Sequence, residues 1–163
     1  RVDVALGVPA NERMDVLVEK ATELGVASIQ PLQCERSVLR LAGERALRKR
    51  EHWQAVAAAA AEQCGRTRVP EVAPVLRLDA WLGALDTDAL RVLLSPAEAA
   101  APLATLLRDA RHVLTLSGPE GGLAPKEEAA AAARGFVAAR LGDRVLRAET
   151  APLAVLAWIG LNP

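Results

Sequence analysis

The 163 residues predict an α/β fold, a single domain with a mostly parallel sheet and flanking helices. Three observations predict it. Val2, Val4, Leu6 and Val8 alternate with other residues at the two-residue period of a half-buried strand. Met14, Leu17, Ala21 and Leu24 then fall at helical spacing, and Val26 to Leu32 reads as a second strand. Strand, helix and strand in that order form the βαβ unit of a parallel sheet.

Pro9 stops the first strand, and Asn11 is placed to cap the first helix. Gly25 suits the left-handed position that ends it. Pro31 weakens the end of the second strand, and a polar loop runs from Gln33 to Gly43. Glu44 to Cys64 is a long helix ended by Gly65, and its Ala57–Ala61 run allows close backbone approach. Leu90–Leu94 is a short strand, and Pro102 to Ala110 reads as a helix. His112 to Leu116 is a strand that runs into Ser117-Gly118-Pro119-Glu120-Gly121-Gly122. Pro125 then fits a first helical residue, with Glu127 and Glu128 favourable beside the helix N-terminus. Phe136 to Leu141 is the last strand, and Thr150 to Leu161 the closing helix.

Hydrophobic residues make up 52% of the chain, which excludes wholesale disorder. The longest apolar run, Ala151 to Gly160, is far short of the ~20 residues that cross a bilayer, so no membrane partner is expected. Cys34 and Cys64 have neither CxxC spacing nor the density of a disulfide scaffold, and both read as buried apolar residues. No signal segment opens the chain, and the expected compartment is the cytoplasm. His52 and His112 are isolated, so no metal site is expected. Trp53, Trp81 and Trp158 read as core or interface anchors.

Twenty basic residues balance twenty acidic ones, but unevenly. Between Arg36 and Arg68 eight bases face three acids, a local excess of five positive charges. Such a window is either a nucleic-acid-facing surface or a solvated helix face.

Two segments carry candidate chemistry. The glycine-rich loop follows a strand and precedes a helix, the place where open α/β sheets bind ligands. Its glycines let backbone groups approach a ligand, although a tight structural turn needs the same residues. No Gly-Lys-Ser/Thr follows, which excludes a P-loop. The second segment, Leu141 to Ala151, packs two arginines, an aspartate and a glutamate beside Val145 and Leu146. It reads as part of a pocket or as a surface salt-bridge turn.

Glu23-Leu24-Gly25-Val26, Glu35-Arg36-Ser37, Glu62-Gln63-Cys64-Gly65-Arg66 with Val69-Pro70, Gly118-Pro119-Glu120-Gly121-Gly122, Gly135-Phe136 and Leu141-Gly142 through Leu146-Arg147-Ala148-Glu149-Thr150-Ala151 occur in that order. Together they resemble the RsmE family, methyltransferases that act on N3 of a uridine in 16S ribosomal RNA of the small ribosomal subunit. The resemblance covers essentially the whole chain. It implies a SPOUT-type C-terminal trefoil knot, S-adenosyl-L-methionine as cofactor and an active site at a homodimer interface. It also implies that residues 1–163 are the catalytic domain alone, the family's N-terminal PUA-like RNA-binding domain being absent from this chain.

Carried over residue by residue, the cofactor loops are three. Leu94 opens the first. Leu116, Ser117, Gly118, Pro119, Glu120, Gly121 and Gly122 form the second. Leu141, Gly142, Val145, Leu146, Arg147, Thr150 and Ala151 form the third. Uridine N3 must lose its proton, so a carboxylate and a guanidinium are expected near it. Glu149 and Glu120 are the candidate bases, and Arg36 and Arg147 the candidate stabilisers or phosphate anchors. Glu120 has a second reading, as a holder of its own loop through backbone N–H groups. Arg36 is expected to have little structural duty and, at a composite site, to reach the cofactor of the partner subunit. The competing reading is a catalytically silent RNA- or protein-binding module of the same fold.

Overall fold

The computed structural model describes residues 1–10, 12–97 and 99–162. In chain order the first half holds β1 (Val2–Gly7), α1 (Arg13–Glu23), β2 (Ser28–Gln33), α2 (Gly43–Gln63), β3 (Glu71–Val72), β4 (Leu76–Arg77) and α3 (Leu78–Ala84). The second half holds β5 (Leu90–Leu94), β6 (Ala101–Pro102), α4 (Leu103–Leu106), β7 (Val113–Ser117), α5 (Pro125–Ala133), β8 (Val137–Arg140) and α6 (Thr150–Leu161). The strands form one sheet in the order β3-β2-β1-β7-β5-β8-β6, with β4 also pairing β2. Every strand pair among the described residues is parallel. The predicted α/β class with a mostly parallel sheet is the observed one.

Apolar side chains cover both faces of this sheet. Val4, Leu6 and Ile29 pack with Met14, Leu17 and Val18 of α1, Trp53 and Ala57 of α2, and Leu156 of α6. On the other face Ala5, Leu32, Leu114 and Leu116 meet Trp81 and Leu82 of α3 and Ala131 of α5. Hence β1 is buried along its whole length and is not the half-buried strand its alternation suggested. Its second face carries only Asp3, Ala5 and Gly7 between the larger residues, and small side chains let helices approach. The Ala57–Ala61 run packs into the α1 side of the core, with Ala57, Ala60 and Ala61 buried.

Differences from the sequence reading have local causes. Residues 66–89 hold β3, β4 and α3, elements too short to show a period. The predicted helix from Pro102 to Ala110 shrinks to the single turn of α4, because Ala101 and Pro102 are drawn out to pair with β8. Pro31 lies inside β2, opposite Leu6. Ile29 O accepts from Ala73 N on the outer side of β2, and Pro31, two residues on, faces the same way. With no N–H to offer there, the outer neighbour splits into β3 and β4, which pair with β2 on either side of the gap. The Asn11 cap lies outside the described residues. Gly25 and Gly65 take the left-handed conformation expected after their helices, with φ of 89° and 73°.

Two of the three tryptophans are core residues. Trp53 is buried and donates to Asp15 Oδ1, while Trp81 lies 6.0 Å from Phe136 between ring centroids. Trp158 is 48% exposed on α6. Cys34 is buried but Cys64 is exposed just past the end of α2, against the expectation that both are buried. No helix among the described residues is long and apolar enough to cross a membrane.

Asp3 ties three strands together at their amino ends. Its carboxylate accepts from Ser28 Oγ in β2 at 2.7 Å and from Arg1 Nε at 3.1 Å, and it lies 2.6 Å from Nε2 of His112, which precedes β7. Burial pushes the carboxyl up, but the hydrogen bonds from His112, Ser28 and Arg1 outweigh it and hold Asp3 below its ordinary value. Since the folded value is the lower one, this contribution is complete above about pH 4 and is lost as pH falls through that lowered value. Asp3→Asn should cost about 2 kcal/mol at pH 7, as expected for hydrogen bonds to a charged group. Urea unfolding of both proteins at pH 7 and in steps into acid checks this, because the gap between them should narrow progressively below about pH 4.

Candidate active site

β7, β5 and β8 are neighbours in the sheet, so the loops leaving their carboxyl ends emerge side by side. These are the segments after Leu94, after Leu116 and after Arg140, and together they enclose a cavity of about 730 Å³. Ser95 N donates to Ala139 O at 2.9 Å and seats the first loop against β8.

The glycine-rich loop is folded back on itself. Gly122 N donates to Pro119 O at 2.8 Å, and Gly122 has a φ of 70°. A Cβ on Gly118 would stand 2.6 Å from Gly122 C and Leu123 N, both backbone atoms that cannot swing aside. Below it, a Cβ on Gly7 would meet Pro119 Cδ at 2.5 Å and Cys34 Sγ at 3.0 Å. The loop therefore rests directly on the end of β1.

Side chains from two other segments clamp it. Arg36 Nη1 donates to Gly121 O at 3.0 Å and Leu123 O at 3.3 Å. This corrects the expectation that Arg36 has little structural duty: its guanidinium holds the glycine-rich loop of its own chain. Glu120 Oε1 accepts from Ala10 N at 2.7 Å and from Arg13 Nη1 at 3.2 Å. Glu120 thus binds a backbone N–H of the segment before α1 and not of its own loop. Glu127 adds a third tie, accepting from Glu35 N and from Ala124 N at 2.8 Å each. Burial, reinforced by the Glu127 charge, pushes the nearby Cys34 thiol up to about 12, which leaves it protonated and unreactive.

Most of the residues singled out from sequence line this one cavity. They include Leu94, Ser117 to Gly122, Leu141, Gly142, Val145, Leu146, Arg147, Ala151 and Arg36. Three do not. Leu116 is fully buried in the core beneath the sheet, because its side chain alternates away from Ser117. Thr150 is exposed at the start of α6. Glu149 stands behind the wall, between the lining residues Ala148 and Ala151. Arg13 and Arg144 line the cavity without having been singled out, and only the three-dimensional path of α1 brings Arg13 there.

Two polar atoms are buried here without a hydrogen-bond partner among the described residues, Ser117 Oγ in the cavity lining and Glu149 Oε2 behind it. Native interiors rarely leave such atoms unpaired, which marks both as places for a ligand group or a water. The charged lining residues are Arg13, Arg36, Arg144 and Arg147 against Glu120 and Glu128, four positive and two negative, a net of +2. No cluster of three or more metal-ligating side chains occurs among the described residues.

The basic window divides in the structure. Arg40 donates to Cys34 O and Glu35 O, Arg50 to Val72 O, and Arg66 to Thr22 O and Val26 O. With Arg36, half of the eight bases satisfy backbone carbonyls.

Residues 1–160 match the model of a family described as an RNA methyltransferase domain. The chain is 34% identical to the ribosomal RNA small subunit methyltransferase E of Bacillus subtilis, over 98% of this chain and 65% of that protein. Among solved structures it resembles the corresponding enzyme of Neisseria gonorrhoeae bound to S-adenosyl methionine, with a TM-score of 0.90 and 36% identity, covering 98% of this chain and 65% of that one. A methyltransferase from Legionella pneumophila in complex with the cofactor SAM superposes with a TM-score of 0.92 at 31% identity, covering 99% and 66%. The chain spans between 52% and 65% of the length of the first three curated relatives it matches.

Gly118→Ala should disrupt the folded-back loop without unfolding the sheet. Limited proteolysis is expected to cut the variant within residues 117–123 at least about tenfold faster than wild type, a local opening cheaper by ~1.4 kcal/mol, with an unchanged circular dichroism spectrum. Equal cleavage rates would mean that the close packing at Gly118 does not hold the loop.

Proposed function

The chain belongs to the RNA methyltransferase domain family, and we propose that it transfers a methyl group from S-adenosyl-L-methionine to N3 of a uridine in 16S ribosomal RNA. The observation that carries this reading is the cradle of three loops on adjacent parallel strands, in a fold similar at a TM-score of 0.90 to a protein crystallised with that cofactor. The residues fit the group. Gly118, Gly121 and Gly122 line it, and at Gly122 nothing stands within 4 Å of where a Cβ would be; Leu94, Leu141 and Leu146 offer apolar wall for the adenine, and the unpartnered Ser117 hydroxyl can pair with a polar edge.

S-adenosylmethionine supplies an electrophilic methyl group on a sulfonium. The protein's part is to align the acceptor nitrogen and to remove its proton, which positioning and general-base catalysis accomplish. Glu149 is the proposed proton acceptor on the family resemblance; its unpartnered Oε2 lies behind the wall formed by Ala148 and Ala151, so it would take the proton through a bridging water. Glu120 is the weaker choice, because Oε1 already serves Ala10 and Arg13. Arg147, exposed on the third loop, would stabilise the anionic base, and Arg36 would hold the cradle.

Assembly follows the same reading. We infer a homodimer, supported by α6, which carries no charged side chain and exposes 48% of Trp158 and 81% of Leu161. The expected knot is supported by the path of the chain around β5. The connection from β6 to β7 carries α4 on the α6 side, and that from β7 to β8 carries α5 on the other. The 163 residues would be the catalytic domain, working in the cytoplasm on the small ribosomal subunit.

Transfer of a labelled methyl group to 16S ribosomal RNA tests the activity; cofactor binding without transfer would leave the silent binding module. Glu149→Gln should lower kcat about a hundredfold or more while cofactor affinity stays within about twofold. Sedimentation should give twice the 17.2 kDa chain mass, and Trp158→Glu should return the single-chain value. A wild-type monomer would remove the dimer from the mechanism.

A further inference from the structure

We propose that Arg13 anchors a phosphate of the RNA strand at the cavity mouth, oriented there by Glu120; this rests on the methyltransferase reading above. Arg13 opens α1 and belongs to none of the three loops that form the cradle. Its side chain is 37% exposed, so it lies at the rim where a large ligand can reach it. Nη1 donates to Glu120 Oε1, and the same oxygen accepts from Ala10 N, so the carboxylate that aims the guanidinium is itself fixed to backbone. Guanidinium offers five N–H donors in a planar fork, and this pair engages one of them.

Charge separates the two ligands. S-adenosylmethionine bears a sulfonium, an ammonium and a carboxylate, one net positive charge. The lining's net charge of +2, four arginines against two glutamates, is more positive than that cation calls for and attracts a polyanion. The surplus therefore suits the RNA. Arg36 is committed to Gly121 O and Leu123 O, and Arg144 and Arg147 make no side-chain hydrogen bond among the described residues that would orient them. Arg13 combines access with a defined orientation. Glu120 is then a positioning residue.

The test compares wild type with Arg13→Ala, Arg13→Lys and Glu120→Gln, using a 16S ribosomal RNA transcript for binding and turnover and calorimetry for S-adenosylmethionine. Loss of one phosphate contact should make the slope of log affinity against log salt shallower by about one. Arg13→Ala should raise KM for RNA about tenfold and leave kcat and cofactor affinity within about twofold. Arg13→Lys should keep the wild-type slope with an intermediate KM, because the charge remains but the fork is lost. Glu120→Gln should raise KM without changing the slope. An unchanged slope and KM in Arg13→Ala would overturn the anchor, as would a loss of cofactor affinity at constant slope, which would assign Arg13 to the cofactor's carboxylate. Absence of salt-dependent RNA binding by the wild-type chain would overturn it too. If wild type binds RNA and cofactor yet transfers no methyl group, the proposed activity fails, while the salt slope still reports on Arg13.

Discussion

The absence of a side chain at Gly7 is the constraint on which the cavity depends. Leu6 pairs with Ser117 in the parallel β1–β7 ladder, so the glycine-rich loop leaves the sheet directly over the next residue of β1. Only hydrogen there lets Pro119 settle against the strand end, with Cys34 closing from the β2 side. The remaining ties take their geometry from that seat. Glu120 reaches Ala10 because the loop lies over the segment that follows β1, and Arg36 reaches Gly121 and Leu123 because it follows Cys34 in the same packed corner. Interiors pack at crystal-like density, so a single added carbon at such a junction displaces the loop as a unit.

Arginine is the second organising element. The chain has seventeen arginines and three lysines. Besides Arg36, Arg40, Arg50 and Arg66, both Arg91 and Arg134 donate to backbone carbonyls, binding the segments around residues 85–87 and 134 to each other. A planar donor fork can satisfy carbonyls that short irregular segments leave unpaired, which lysine does less well. Three of the six, Arg36, Arg40 and Arg66, lie within residues 33–43 and 64–76, which are poor in regular structure.

Apolar segments with clear ends were legible from sequence: α6 over Thr150–Leu161 and β5 over Leu90–Leu94 have their expected limits, and Pro125 opens α5. The loops of the cradle were legible as motifs, because glycines after a strand have a physical meaning in an open sheet. What could not be read has a common cause. The two-residue strands β3, β4 and β6 carry no period, and they form because a neighbouring strand offers unpaired backbone groups. Arg13 reaches the cavity and Leu116 leaves it for reasons of three-dimensional path and strand alternation. The duty of Arg36 depends on carbonyls 85 and 87 residues away, a distance at which one sequence shows no correlation.

The distribution of the three tryptophans has an optical consequence. Trp53 is sealed in the α1–α2 core with its indole N–H on Asp15, and Trp81 is covered beside Phe136. Trp158 alone meets solvent to any large extent, on the uncharged helix α6. A collisional quencher such as iodide therefore samples one indole of three, and the accessible fraction of the emission becomes an intrinsic gauge of whether that helix is covered. With no tyrosine in the chain to add a second emitter, the signal needs no attached dye.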